Sequence, residues 1–315
     1  MSEVDGMSVL VWTAPGTATW LEGLDERLEI AEIPADPLHD PRLAEVKILV
    51  PPLMRNLEDE AYDLRTLMSK APSLEFVQTQ TAGVDGIVSS VPDGVALCSV
   101  RGAYDELMAE LLLAGILVSY KEVAHYVHAQ DAGSWQPTEV RVIQGAKVLY
   151  VGYGSIAQCV ERYLAPFGVE SLKVARTARD GIEGLDALPR LLPQADIVVV
   201  LTPLTPDTRG LVGEQFLASM KPGALLVNGA RGGCVDTEAL MAAARERGIR
   251  AFLDVTEPEP LPDGHPLWST PGIFITPHIG SLVADNNERC FRVVRENLTR
   301  WLDGRPVLNR VEHGY

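Results

Sequence analysis

Residues 147–157 restrict the possible folds more than any other part of the chain. Lys147-Val148-Leu149-Tyr150-Val151 is a short apolar run with strand character. Gly152-Tyr153-Gly154-Ser155-Ile156-Ala157 follows at once, and then a helical pattern to about Phe167. A strand, a glycine turn and a helix in that order open a βαβ unit, and the G-x-G-x-x-A spacing is that of a dinucleotide-binding loop. Gly152 permits the tight turn, Gly154 lets the backbone approach a pyrophosphate, and Ala157 is small enough for close helix–strand packing. The helix start at Ser155 and Ile156 offers free N–H groups and a positive dipole end to phosphate oxygens.

The rest of the chain repeats the alternation. Apolar runs at Val9 to Trp12, Leu28 to Ile33, Val46 to Val50, Leu74 to Gln78 and Ala96 to Val100 are expected strands, with a helix over Leu57 to Met68. This stretch forms a small α/β domain of its own. A long amphipathic helix is expected from about Ala103 to His128, followed by a Gly- and Pro-broken loop near Asp131 to Pro137. Strands then recur at Lys147 to Val151, Leu172 to Ala175, Ile197 to Leu201, Ala224 to Asn228, Ile249 to Asp254 and Ile273 to Thr276, each separated by helix-length segments. That order predicts an α/β fold with a second, larger, doubly wound parallel sheet. A final amphipathic helix is expected over Val283 to Leu302.

Composition narrows the function. The chain has 315 residues, of which 46% are hydrophobic and 22% charged, as expected of a globular chain with a substantial core. The formal net charge of −16 argues against nucleic acid and anionic membrane surfaces as partners. No apolar run reaches the ~18–20 residues of a membrane span. The acidic start Met1-Ser2-Glu3-Val4-Asp5 lacks the features of a secretory signal, so a cytoplasmic location is expected. Cys98, Cys159, Cys234 and Cys290 are far apart and show no metal-ligand spacing, so reduced thiols and no metal site are expected.

The end of the strand after the glycine loop selects the cofactor. An acid there binds the ribose 2′-hydroxyl of NAD. This chain reads Val174-Ala175-Arg176-Thr177-Ala178-Arg179, with no acid before Asp180. Guanidinium forks suit a 2′-phosphate, so Arg176, Arg179 and the Thr177 hydroxyl favour NADP(H) over NAD(H).

Three later segments leave polar groups at strand ends, the edge where open α/β sheets bind ligands. Arg231 sits among small residues in Asn228-Gly229-Ala230-Arg231-Gly232-Gly233, which leaves room for a planar carboxylate beside its guanidinium. Asp254-Val255-Thr256-Glu257-Pro258-Glu259 carries three acids, and Thr276-Pro277-His278 ends in an imidazole. A histidine paired with a carboxylate can give or take a carbonyl proton.

With these segments the chain resembles the D-isomer-specific 2-hydroxyacid dehydrogenase family over nearly its whole length. The resemblance rests on Gly152 to Ala157, on Thr202-Pro203-Leu204-Thr205-Pro206-Asp207-Thr208-Arg209-Gly210, on the Arg231, Asp254 and His278 segments, on Thr81 to Asp85, and on Ala109-Glu110. It implies two Rossmann-like domains with an interdomain cleft: a doubly wound cofactor-binding domain over 101–283, and a smaller flavodoxin-like substrate domain of residues 1–100 plus 284–315. It also implies reduction of a small 2-oxo acid to the D-2-hydroxy acid, as in glyoxylate/hydroxypyruvate reductases. Arg231 would clamp the substrate carboxylate, His278 would be the general acid/base, and Glu259 would partner His278, with Glu257 as the competing acid. Asp254 would hold the nicotinamide carboxamide. Thr202, Pro203 and Ala230 would also line the cofactor. Backbone N–H groups at Ala82, Gly83 and Val84 would hold the carboxylate, and Met54 and Arg55 would face the substrate. The helix near 103–128 would make a homodimer. Thr256 and Arg101 depart from the family, where Phe and Asn are common. Relatives that oxidise formate pair the histidine with Gln, and those that oxidise phosphite carry Lys near position 82; Glu259 and Ala82 differ from both. A dinucleotide-sensing corepressor-like protein is the alternative from another class.

Overall fold

A computed structural model describes residues 8–52 and 63–311. Met54, Arg55 and the first half of the helix expected over Leu57 to Met68 lie outside the described residues. The strands are β1 (Val9–Thr13), β2 (Leu28–Glu32), β3 (Val46–Val50), β4 (Phe76–Gln78), β5 (Ala96–Cys98), β6 (Lys147–Val151), β7 (Glu170–Val174), β8 (Ile197–Val200), β9 (Leu225–Asn228), β10 (Arg250–Leu253) and β11 (Ile273–Ile275). The α-helices are α1 (Leu64–Ser69), α2 (Asp105–Tyr120), α3 (Val123–Asp131), α4 (Ser155–Leu164), α5 (Leu188–Leu191), α6 (Glu214–Ser219), α7 (Thr237–Arg247) and α8 (Asn286–Leu302). The chain separates into two compact units, Met1–Tyr104 with Val283–Tyr315, and Asp105–Leu282.

In the first unit all strands run parallel in the order β2-β1-β3-β4-β5, the flavodoxin-like arrangement. Leu10, Trp12, Leu49, Leu67 and Val77 fill one side of the sheet. A buried polar network ties α8 to β4. Asn297 Nδ2 donates to Gln78 Oε1 at 2.7 Å and to Leu308 O at 3.0 Å, and Leu308 N returns a bond to Asn297 Oδ1 at 2.7 Å. Each of these buried groups finds a partner, which is the condition for a polar network to stabilise an interior.

The second unit holds a parallel sheet in the order β11-β10-β9-β8-β6-β7. Beyond β7 the edge place is held by a single parallel bridge, Val174 to Glu183. Strands β6 (KVLYV) and β8 (IVVV) are almost wholly buried, as covering both faces of a parallel sheet requires. β7 lies on one side of β6 and β8 on the other, so the order in which strands are added reverses at β6. The C-terminal ends of β6, β8, β9, β10 and β11 share one edge. The four cysteines are free and buried.

The long helix expected over 103–128 is two helices. α2 ends at Tyr120, Glu122 takes a left-handed conformation at φ 51°, and α3 starts at Val123. Groups from outside the helix capture its last carbonyls. Arg250 Nη1 donates to Ser119 O at 2.7 Å, and Arg141 N donates to Tyr120 O at 3.0 Å. With these carbonyls taken, the i→i−4 ladder stops. Nor is α2 amphipathic: Leu107, Leu111, Leu113 and Leu117 give it apolar residues on most faces. No helix among the described residues is long and apolar enough to cross a membrane.

Candidate active site

The glycine loop follows β6 at the switch point. Gly152 has φ +95°, and a Cβ there would lie 2.7 Å from the Leu201 carbonyl carbon and from Thr202 N. Both the backbone angle and the close approach of the β8 exit demand glycine. Gly154 is different. A Cβ there would meet nothing within 4 Å, so protein packing does not require a glycine at the start of α4. The open space lies beside the first-turn N–H groups of Ser155 and Ile156, and it fits the close approach of a dinucleotide pyrophosphate.

Arg176, Thr177 and Arg179 lie exposed beyond β7. Arg179 Nη2 donates to Tyr153 O at 2.8 Å, so one arm of this guanidinium braces the glycine loop. Arg176 makes no hydrogen bond or ion pair among the described residues. Tyr153 is also fixed on its side chain, which bonds Glu161 and lies under Lys173 Nζ, 4.7 Å from the ring centroid. Thr202 is buried after β8, and Pro203 O accepts a bond from Thr208 Oγ1 at 2.5 Å.

Arg231 follows β9. Its segment is braced by Asn228, which accepts from Ala230 N at 3.1 Å and donates to Arg231 O at 3.0 Å. Arg231 Nη1 donates to Ala230 O at 2.9 Å. The next residue, Gly232, packs directly on the Glu259 loop: a Cβ there would lie 1.8 Å from Thr256 O.

His278 follows β11 in a left-handed conformation at φ 53°. Its Nδ1 lies 2.5 Å from Glu259 Oε1. Glu257 is turned elsewhere: its Oε2 and Arg209 Nη1 both border the space beside Gly233. Burial pushes the Glu259 carboxyl up. The His278 hydrogen bond and charge, the Thr256 N–H and the Arg231 charge outweigh it and hold the carboxyl below its ordinary range. Arg231 and His278 therefore both act on the Glu259 carboxylate at one sheet edge. A depressed carboxyl contributes stability that is present above its unfolded value and lost as pH falls through the folded one. The stability advantage of the unmodified protein over Glu259→Gln should thus be full near neutrality and vanish in acid below the ordinary carboxylate range. Denaturant midpoints measured across pH check this; a pH-independent difference would contradict it.

Asp254, after β10, is 1% exposed. Its Oδ1 accepts from Thr276 Oγ1 at 2.7 Å and Ile279 N at 2.9 Å, and its Oδ2 accepts from Gly280 N at 3.2 Å. His278 N donates to Asp254 O at 2.8 Å. Asp254 thus binds the loop on both sides of His278. Its carboxylate keeps acceptor capacity for a further ligand. Sequence reasoning did not single out Thr276 or Asn228 as braces. A hydroxyl and an amide at strand ends were the available signals.

Ala82, Gly83 and Val84 belong to the first unit, after β4. There Thr81 Oγ1 donates to Gly83 O at 2.7 Å, and Val84 O accepts from Ile87 N and Val88 N. Among the described residues no cluster of His, Cys, Asp or Glu could hold a metal ion.

A dinucleotide loop at the switch point of a parallel sheet is the arrangement of nucleotide-dependent oxidoreductases. Known proteins agree. Residues 113–280 match the family described as D-isomer specific 2-hydroxyacid dehydrogenase, NAD binding domain. The (S)-sulfolactate dehydrogenase of Chromohalobacter salexigens is 33% identical over 249 residues, spanning 76% of this chain and 81% of that protein. The glyoxylate reductase of Thermococcus onnurineus is 30% identical over 299 residues, 87% of each chain. A D-isomer specific 2-hydroxyacid dehydrogenase from Xanthobacter autotrophicus Py2, solved with NADPH and MES, superposes with a TM-score of 0.82 at 31% identity, covering 98% of this chain and 100% of that one. The chain belongs to the D-isomer specific 2-hydroxyacid dehydrogenase family. It is an NAD(P)-dependent oxidoreductase with two Rossmann-like domains, and its named relatives act on small hydroxy and oxo acids.

Proposed function

We propose that this protein reduces a small 2-oxo acid of the glyoxylate or hydroxypyruvate type to the D-2-hydroxy acid, with NADPH preferred. The observation that carries the reading is the His278–Glu259 contact at 2.5 Å with the Arg231 charge acting on the same carboxylate. Arg231 binds the substrate carboxylate through its planar fork and polarises the adjacent carbonyl. His278 holds the proton that the carbonyl oxygen takes, and Glu259 orients the ring. The dinucleotide supplies the hydride when bound. Asp254 holds the His278 loop and contacts the nicotinamide side. In this reading the cofactor domain is 101–283, and residues 1–100 with 284–315 supply the substrate side through Ala82, Gly83 and Val84.

The preference for NADPH rests on Arg176, exposed at the end of β7 where no acid stands, with Thr177 beside it. Arg179 contributes less, because it is engaged with Tyr153 O. Purified protein tested with glyoxylate, hydroxypyruvate, pyruvate, phenylpyruvate and oxaloacetate should turn over at least one of them faster with NADPH. Arg176→Ala should weaken NADPH about 10-fold or more and spare NADH, since a charge-assisted bond is worth about 1.5–3 kcal/mol. Equal kcat/KM with the two cofactors would end the NADPH assignment. Dinucleotide binding with no turnover of any acid would replace the reductase by a sensor.

The same reading makes the protein a homodimer through α2 and α3. Val123, Tyr126, Val127 and Val140 are exposed, and Trp135 is 97% exposed, an apolar surface that a second copy would cover. Sedimentation at micromolar concentration should give twice the chain mass of 34.2 kDa. A persistent monomer would exclude the dimer.

A further inference from the structure

Met108, Leu112 and Gly115 lie on one face of α2, at the 4- and 3-residue spacing that aligns side chains on a helix. Each meets the sheet edge two residues from a group in the active site. A Cβ on Gly280, two residues after His278, would lie 2.2 Å from Met108 Cε and 3.1 Å from Asp254 Oδ2. A Cβ on Gly229, two residues before Arg231, would lie 2.9 Å from Leu112 Cδ2. The ring of Phe252, two residues before Asp254, would lie 2.3 Å from a Cβ on Gly115. Gly280 and Gly229 carry no side chain, so Met108 and Leu112 reach these loops without an adjustable side chain on the loop side; at the third contact the glycine is on the helix and makes room for the Phe252 ring. Met108 and the Asp254 carboxylate together fill the space where a Gly280 side chain would stand, and Gly280 N donates to Asp254 Oδ2 at 3.2 Å.

We propose that Met108 and Leu112 are positioning residues that set the distance between the His278 and Arg231 loops, each acting through the glycine it touches. The proposal rests on the assignment of His278 and Arg231 given above. Close-packed interiors transmit displacement, and a shift of about 1 Å at a reacting group can cost on the order of 10²-fold in rate. The two residues support different groups, so their loss should be felt differently. Met108 supports the proton donor and should govern kcat. Leu112 supports the carboxylate clamp and should govern KM for the acid.

The test uses full-length Met108→Ala, Met108→Leu, Leu112→Ala and Leu112→Val with the 2-oxo acid that the unmodified protein reduces fastest. Met108→Ala should lower kcat about 10-fold or more and alter its pH dependence, with the NADPH Kd unchanged within about threefold. Met108→Leu, which conserves volume, should restore both. Leu112→Ala should raise KM for the acid about 10-fold with a smaller change in kcat. Leu112→Val should show the same split in milder form, and it serves if the alanine variant does not fold. Wild-type kinetics in the Met108→Ala and Leu112→Val variants would overturn the proposal. So would a fall in kcat that only tracks the folded fraction, with KM and pH profile unchanged. His278→Ala and Arg231→Lys run alongside separate the two levels. If those two are fully active, the site assignment itself fails; if they are crippled while the α2 variants are normal, only the positioning role fails.

Discussion

Replacing His278 with alanine should lower kcat for reduction by on the order of 10²–10⁴-fold, while NADPH still binds. As hydride arrives at the carbonyl carbon, negative charge builds on its oxygen, which must be protonated near neutral pH. Imidazole is the side chain suited to that task, and His278 carries its carboxylate partner at 2.5 Å. Reduction draws on the imidazolium, so its rate should fall as pH rises. Oxidation draws on the neutral ring and should rise over the same range. Both pH limbs should disappear in the variant. Glu259→Gln should disturb the same profile, and Glu257→Gln should leave it, because Glu257 borders Arg209 beside Gly233. Stopped-flow and steady-state rates across pH decide the matter. A His278→Ala enzyme within threefold of the parent would remove the general-acid role, and a profile moved only by Glu257→Gln would assign the wrong carboxylate.

Gly232→Ala should be nearly as damaging, although the added group is one methyl. The new Cβ would lie 1.8 Å from Thr256 O, 2.1 Å from Thr256 C and 2.7 Å from Glu257 N, all backbone atoms. No rotamer change relieves such contacts. Either the Arg231 turn or the loop carrying Glu259 must move, and in each case Arg231 and Glu259 separate. The expected loss is about 10²-fold in kcat/KM, with a stability loss of about 1–3 kcal/mol from overpacking. Gly233→Ala provides the contrast. Its Cβ would meet Arg209 Nη1 at 3.0 Å and Glu257 Oε2 at 3.2 Å, the ends of flexible side chains. That variant should keep most of its activity. Equal kinetics for the two alanine variants would show that the interlock between the loops does not matter to the reaction.

The inner strands were legible because a strand buried on both faces reads as an unbroken apolar run, as IVVV does in β8, whereas β2 (LEIAE) and β7 (ESLKV) mix polar with apolar residues. The glycine loop was legible because its spacing answers to backbone geometry. The break between α2 and α3 was not. It depends on Arg250, which lies 131 residues from the Ser119 carbonyl it captures. Local pattern carries no trace of such a pairing. The same holds within the site. The spacing of Asp254, Glu257 and Glu259 left two acids competing for His278, and only the folded loop brings Glu259 to the ring. Arg179 reads as a phosphate ligand from its position, and one arm of its guanidinium also braces the Tyr153 carbonyl, a contact the local sequence does not announce. Its neighbour Arg176 gave the same signal and has no such engagement.

The Asn297–Gln78 network has a consequence for the order in which the protein is made. Gln78 is synthesised early, but its partner on α8 emerges only after the whole segment Asp105–Leu282. On the ribosome, the second unit has all its strands while the first still lacks a helix against β4. The usual sequence of N-terminal before C-terminal completion is therefore reversed. For that interval Gln78 Oε1 must remain hydrated or bonded elsewhere, while Nε2 has its Thr79 O partner from the start. The first unit is finished last, when α8 joins strands made at the outset.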